Sequence, residues 1–81
     1  MDAHQIARQL TTVFHDVMDR DDIVLSDTMS ADDLDEWDSL SHIRLMASVE
    51  RQFGVHFTNA EIGSLKNVGD LIKLISQKTN A

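Results

Sequence analysis

The first part of the chain places its apolar residues at the spacing of one helix face. Within residues 2–18 the apolar positions advance in steps of four, three, one and three: Ile6, Leu10, Val13, Phe14 and Val17. This spacing is typical of an amphipathic helix whose apolar stripe faces a core. Asp2 stands where an N-cap residue or a first-turn acid stabilises a helix. The pattern therefore predicts a first helix over residues 2–18.

Residues 19–37 lose this periodicity and are rich in Asp, Ser and Thr. We expect a long ordered loop, with one helical turn starting at Ser30. Five apolar side chains are expected to pin it to the core: Ile23, Val24, Leu25, Met29 and Leu34. A loop of about 19 residues exceeds ordinary connections, and loops of that length are usually functional or disordered.

A second helix is predicted over residues 39–53. Asp38 or Ser39 can serve as its N-cap, and Gly54 suits the position just past its end. At about 100° per residue, one side of this helix collects the core candidates Leu45, Met46, Val49 and Phe53, with His42 at their edge. The opposite side mixes apolar and basic residues and has no evident reason to be buried: Leu40, Ile43, Arg44, Ala47 and Arg51.

Two more helices complete the pattern. Thr58 and Glu61 match a capping box and predict a short helix over residues 59–64. Asn67 can cap a fourth helix that ends near Lys78, because apolar residues recur there at helical spacing: Val68, Leu71, Ile72 and Ile75. The predicted fold is all-α, a four-helix bundle with three longer helices, a short third helix and a long loop after the first.

Composition limits what such a bundle can be. The 81 residues allow a single domain, over residues 1–81, and a hydrophobic content of 42% with 26% charged residues is typical of a globular chain. The chain contains no run of 18 apolar residues, so no membrane span is predicted. Its start has no signal-peptide pattern, and we expect a cytoplasmic monomer. Cysteine is absent, so any thiol chemistry must come from a cofactor.

The charge is negative and unevenly distributed. The formal net charge is −7, which argues against a nucleic-acid partner because phosphate contacts need Lys and Arg. Residues 16–38 hold ten acids against one base, Arg20, so this segment alone is −9. Such a segment can steer a basic partner onto the surface, or simply keep the protein in solution; charge alone leaves both interpretations open.

The acids do not form a recognisable metal site. An EF-hand loop begun at Asp27 has Met29 at its third position, and one begun at Asp19 has Ile23 at its fifth. Weak binding of a divalent cation to clustered acids remained an open alternative. The four histidines show no zinc spacing, and we predict no metal site.

Ser39 stands at the predicted start of the second helix, within the run Asp35-Glu-Trp-Asp-Ser-Leu-Ser-His-Ile43. Taken alone, it is interpreted as a plain N-cap serine. Nucleophilic catalysis is not indicated, because no base, orienting group and oxyanion donors accompany it, and His42 alone does not supply them. A serine modified by another enzyme needs only exposure and a rigid position. Asp38 could then help hold Mg²⁺ with the phosphates of the donor.

The Asp38-Ser39-Leu40 triplet, opening a helix that continues to Phe53 and Gly54, resembles the acyl carrier protein and peptidyl carrier protein family over nearly the whole chain. The resemblance implies that Ser39 receives 4′-phosphopantetheine from coenzyme A, with Asp38 and Leu40 beside the attachment point. It implies partners of two kinds, a phosphopantetheinyl transferase and the enzymes that load and transfer acyl or aminoacyl groups. The chain itself would not be an enzyme.

The resemblance also gives the second helix a docking role. It implies that Leu40, Ile43 and Ala47 are apolar contacts for partners, with Arg44 and Arg51 where family members usually carry acids. Glu36 replaces a frequent glycine, and the string Trp-Asp-Ser-Leu resembles carriers of specialised polyketide, peptide or lipid pathways.

Two points remained open in the sequence. Trp37 either covers the edge of the bundle or packs against the arm or a partner, since Trp is enriched at contact surfaces. The alternative function is a helical interaction module without an arm, which uses the same apolar and basic face as a groove binder.

Overall fold

The computed structural model describes residues 2–79 and is all-helical over that range. Helix α1 covers Ala3–Met18, α2 covers Ser39–Phe53, α3 covers Asn59–Ser64 and α4 covers Val68–Thr79, with a 3-10 turn at Ala31–Asp33. The predicted bounds are confirmed to within one residue at each end. The one-residue difference at the start of α1 arises because the prediction included the capping residue Asp2. The fold is the predicted one, with three longer helices and a short third.

Side-chain caps fix where the helices begin. Asp2 accepts a 2.8 Å hydrogen bond from the Gln5 N–H, and the Gln5 side chain accepts one from the Asp2 N–H at 3.1 Å. Thr58 and Glu61 form the same reciprocal pair at the start of α3, as predicted. Each pair satisfies backbone donors that a helix start otherwise leaves without partners.

Left-handed residues end the two longest helices. Asp19 follows α1 with φ 54°, and its N–H donates to the His15 carbonyl. Gly54 follows α2 with φ 65°, a conformation in which glycine has no side-chain strain, so its predicted role is confirmed. Both turns redirect the chain so that α1, α2 and α4 pack around one core.

The core is built from the predicted helix faces. Its fully enclosed side chains come from three helices: Ile6, Leu10 and Phe14 of α1, Leu45 and Val49 of α2, and Val68, Leu71 and Ile75 of α4. His42 lies half-buried at the edge, as predicted. Val17, Phe53 and Ile72, which were also predicted on core faces, pack against the core and stay partly exposed.

The long loop of residues 19–38 is pinned to this core, with one exception. Ile23 and Leu34 are buried, and Leu25 and Met29 pack against them. The prediction for Val24 was wrong, because 80% of its surface is exposed. Successive residues of an extended segment point to opposite sides, so Ile23 and Leu25 face the core while Val24 between them faces outward.

Backbone hydrogen bonds also tie the loop to the start of α4. The Val68 N–H donates to the Met29 carbonyl at 2.8 Å, and the Gly69 N–H donates to the Asp27 carbonyl at 2.9 Å. The approach is close, since a Cβ on Gly69 would lie 3.0 Å from the Asp27 carbonyl oxygen. The loop therefore uses donors of α4 that would otherwise need another cap. Within residues 2–79, no helix combines the length and the apolar character that crossing a membrane requires.

Candidate functional site

The tip of α2 is capped by two residues that flank Ser39 without involving it. Asp38 Oδ1 accepts a 2.9 Å hydrogen bond from the Ser41 N–H. The Ser41 hydroxyl accepts a 2.8 Å bond from the Asp38 N–H and donates to the Glu36 carbonyl at 2.6 Å. Asp38 is thus the N-cap, one of the two candidates from the sequence, and Ser41 is its reciprocal partner.

Ser39 is therefore the first residue inside the helix, and its interpretation as a plain N-cap is wrong. Its side chain is exposed, and within residues 2–79 the hydroxyl has no hydrogen-bond partner. The reason is the reciprocal pair of Asp38 and Ser41, which already satisfies the donors that a capping serine would take. The backbone of Ser39 is rigidly held while its hydroxyl stays free.

The carboxylate of Asp38 is stabilised in its charged form. The hydrogen bond from the Ser41 N–H, the largest cause, lowers the pKa of Asp38 below its ordinary value. Oδ1 accepts this bond, and the backbone N–H groups of Leu40 and Asp38 lower the pKa further. A stabilised negative charge therefore lies on the residue directly before Ser39.

A cleft of about 460 Å³ opens beside Ser39. It lies between the first turns of α2, the segment that joins α3 to α4, and the end of the long loop. Its apolar wall is formed by Trp37, Met46, Leu65 and Leu71, and its polar groups are Asp38, Ser39, His42, Lys66 and Asn67. The cleft is open to solvent at the residue that the sequence singled out.

Trp37 and His42 form a hydrogen-bonded pair on the wall of this cleft. The Trp37 Nε1–H donates to His42 Nδ1 at 3.0 Å. The Phe14 ring packs against Trp37 in a T-shaped arrangement, with ring centroids 5.1 Å apart. Only 7% of the Trp37 surface is exposed. The structure thus places Trp37 at the bundle edge, the first of its two predicted roles, and its direct contact with a partner stays a prediction.

The outer face of α2, defined as Leu40, Ile43, Arg44, Ala47 and Arg51, is exposed as predicted. Leu40 is 69% exposed and Ile43 is 67% exposed, which is unusual for large apolar side chains. Neither arginine forms an ion pair or a hydrogen bond with any residue of the described range. This face presents apolar surface and positive charge to solvent.

The acidic loop contains an ion-pair cluster around Arg20. Its guanidinium contacts Asp22 at 3.0 Å and Glu36 at 3.1 Å, which joins the two ends of the loop. These carboxylates raise the pKa of Arg20, and the hydrogen bond from Arg20 lowers the pKa of Asp22. The remaining acids of residues 2–79 do not come together with His as a group of three or more that could hold a metal ion.

Comparison with known proteins identifies the fold and the family. A family model described as a phosphopantetheine attachment site matches residues 8–75. The solution structure of a holo acyl carrier protein from Geobacter metallireducens superposes with a TM-score of 0.87 at 44% identity, covering 91% of this chain and 85% of that one. The acyl carrier protein of Kineococcus radiotolerans is 39% identical over 56 residues, which is 69% of this chain and 68% of that protein.

A further relative gives the same result. The acyl carrier protein of Petrotoga mobilis is 36% identical over 63 residues, covering 78% of this chain and 72% of its own. The chain belongs to the acyl carrier protein family. The predicted 4′-phosphopantetheine cofactor is confirmed by the matched family, which is defined by its attachment. The similar proteins are acyl carrier proteins by name.

The carrier's site has three features that the sequence did not reveal. Ser41 was missed as the second half of the cap, although its spacing of three residues from Asp38 was a usable signal. Arg20, as the one base among ten acids, indicated an ion pair but not its partners. Lys66 and Asn67 reach the cleft only through the packing of α4, and no local pattern in the sequence indicates that.

Proposed function

We propose that Ser39 is the attachment residue and that the protein holds an acyl or aminoacyl group as a thioester on the terminal thiol of the arm. It delivers this group between partner enzymes of lipid, polyketide or related biosynthesis. The observation that carries the proposal is the free, exposed Ser39 hydroxyl at a helix tip that Asp38 and Ser41 already cap. A modifying enzyme reaches that hydroxyl without breaking any interaction of the folded chain.

The helix tip also suits a phosphodiester. The arm's phosphate on Ser39 Oγ would lie at the amino end of α2, where the helix dipole stabilises negative charge. Asp38 opposes that charge, and its carboxylate is a ligand for a divalent cation brought with the donor's phosphates during modification. The arm supplies the thiol that this cysteine-free chain lacks. The role of this chain is to present the hydroxyl and keep the arm at a fixed position.

We propose further that the outer face of α2 is where partner enzymes dock. Leu40 and Ile43 offer an apolar contact directly beside Ser39, and Arg44 and Arg51 flank it with unpaired positive charge. Charge complementarity therefore favours a partner surface with an apolar pocket and carboxylates. Phosphopantetheinyl transferases and acyl-loading or acyl-transfer enzymes are the partners that the carrier role requires.

The attachment residue is tested by intact mass. The protein is incubated with coenzyme A, Mg²⁺ and a broad-specificity phosphopantetheinyl transferase. We expect the wild type to gain one phosphopantetheine and Ser39→Ala to gain none. Ser48→Ala, a serine about two and a half turns further along α2, is the matched control and should be modified like the wild type. Modification of Ser39→Ala would overturn the assignment.

The same assay separates the two function classes. A wild type that stays unmodified with several transferases, while its helical circular dichroism is intact, would favour the alternative helical interaction module.

The docking face is tested by charge reversal. We expect Arg44→Glu combined with Arg51→Glu to slow transfer from the native partner without changing the helical circular dichroism. The matched control is Arg8→Glu combined with Lys73→Glu, which changes the net charge equally on α1 and α4. Equal effects of the two double variants would show that overall charge, and not this face, controls docking.

A further inference from the structure

The Trp37 and His42 pair fixes which nitrogen of the imidazole carries its proton. The Trp37 indole nitrogen can only donate, so His42 Nδ1 at 3.0 Å must be the acceptor. A neutral imidazole that accepts through Nδ1 carries its hydrogen on Nε2. The ring planes differ by only 22° with centroids 6.1 Å apart, so the two rings lie nearly parallel to each other.

Trp37 itself is held in place. It is buried, and Phe14, which is fully buried, packs edge-on against it. Partial burial lowers the pKa of His42 below its ordinary value, which favours the neutral ring. His42 is thus a donor of fixed tautomer on a rigid support.

The Nε2–H has no acceptor among residues 2–79. His42 lines the cleft beside Ser39, and among residues 2–79 its hydrogen bonding is limited to Trp37. Two neighbours in the cleft are donors as well. The Lys66 ammonium has no ion pair in the described range, and Asn67 uses its Oδ1 to cap the Asp70 N–H, which leaves its amide nitrogen free. The cleft therefore combines an apolar wall with three donors that lack acceptors, those of His42, Lys66 and Asn67, and its one negative charge is Asp38.

We propose that the Trp37–His42 pair is a binding element for a carbonyl oxygen in the cleft, which accepts a hydrogen bond from the His42 Nε2–H. The inference rests on the proposed attachment at Ser39, because His42 lies one helical turn further along α2 and the arm begins within its reach. Two sources offer this chemistry, the amide carbonyls of the arm and a carbonyl of the cargo. Trp37 is a positioning residue, and His42 makes the contact.

The experiment compares four forms of the full chain by NMR of the imidazole nitrogens: the apo protein, the holo protein, and the holo protein loaded with hexanoyl or with 3-oxohexanoyl. We expect the Nε2–H tautomer in all four and a downfield shift of the Nε2 proton when the acceptor is present. A shift in the holo form assigns an arm amide, whereas a shift only after loading assigns the cargo. The exposed His56 is the internal control.

Variants separate binding from packing. His42→Gln keeps an acceptor for Trp37 and a donor for the cleft, and His42→Leu keeps neither. We expect the arm or cargo carbonyl signal to keep its bound shift in His42→Gln and to return to that of free pantetheine in His42→Leu. Helical circular dichroism verifies that both variants fold.

Two results overturn the proposal: an Nε2 resonance that is identical in all four forms, or a carbonyl signal that His42→Leu leaves unchanged. Mass gain at Ser39 is measured first in every sample. A chain that gains the arm without an Nε2 shift refutes this inference alone, whereas failure to gain the arm refutes the proposed function.

Discussion

The segment that leads into Ser39 and the helix face that follows it use their side chains in opposite ways. In residues 19–38, Ile23, Leu34 and Trp37 are buried, and Arg20 holds two acids. On the outer face of α2, Leu40 and Ile43 are exposed and both arginines are unpaired. These side chains of the leading segment contribute to folding, whereas those of the outer face make no such contribution within the described residues. Ser39 lies at the boundary between them.

The comparison is tested most severely by truncating one large side chain in each region. Trp37→Ala removes a buried ring that packs on Phe14, and we expect a loss of about 3–5 kcal/mol in the free energy of unfolding. Leu40→Ala removes exposed surface and should change it by less than about 0.5 kcal/mol. Urea unfolding followed by circular dichroism measures both. Similar losses would show that the outer face also contributes to folding.

A pair of glycines tests the anchoring of the leading segment to α4. A Cβ at Gly69 would lie 3.0 Å from the Asp27 carbonyl oxygen, so Gly69→Ala must displace the loop and should cost about 1–3 kcal/mol. Gly63 in α3 has no atom within 4 Å of such a Cβ, so Gly63→Ala should stabilise the protein by about 0.4–1 kcal/mol. Thermal unfolding compares the two. A stabilised Gly69→Ala would show that the loop is not held there.

Lowering the pH should destabilise the fold through His42, which lies where the two regions meet. Because burial lowers the pKa of His42, its folded state resists protonation, so this residue's contribution to stability is present at neutral pH. That contribution is lost as pH falls through the ordinary value of about 6.5 towards the lowered one. Two other charged groups line the same cleft. Asp38 is opposite in sign to a protonated His42, and Lys66 has the same sign. His42→Gln does not titrate, so its unfolding midpoint should fall less than that of the wild type between pH 7 and 5.5. Parallel pH profiles would contradict this.

The smallest effect is expected from the arginines. Arg20→Gln breaks two exposed ion pairs and should lower the unfolding midpoint slightly at low salt, with the difference vanishing at high salt. Arg44→Gln has no pair to lose and should leave the midpoint unchanged at either salt concentration. Denaturant titrations at two ionic strengths make the comparison. A salt-dependent loss in Arg44→Gln would mean that the outer face is already paired.

The helices and the position of Ser39 could be predicted because they depend on local rules. Apolar spacing and caps such as Thr58 with Glu61 are contained in a few consecutive residues. Val24 was misassigned because an apolar residue in an irregular segment carries no periodicity that sets its direction. The path of the whole segment determines whether a loop residue is buried or exposed.

The site was harder to predict because its parts come from different elements. The choice between Asp38 and Ser39 as cap was open in the sequence, since both residue types cap helices, and only the bond between Asp38 and Ser41 decides it. The cleft needs Trp37 from the loop, His42 from α2 and Asn67 beside α4. Contacts between residues so far apart in the chain follow from packing.

The two backbone bonds from α4 to the loop make the amides of Val68 and Gly69 built-in reporters. Amides in the first turn of a helix usually exchange their hydrogens readily with water, because no preceding turn holds them. Here the Met29 and Asp27 carbonyls hold them at 2.8 and 2.9 Å. Their exchange rates follow the detachment of the segment that precedes Ser39, even though both amides lie nearly thirty positions beyond that serine. Detachment of the segment that precedes Ser39 can thus be timed on the amides of α4.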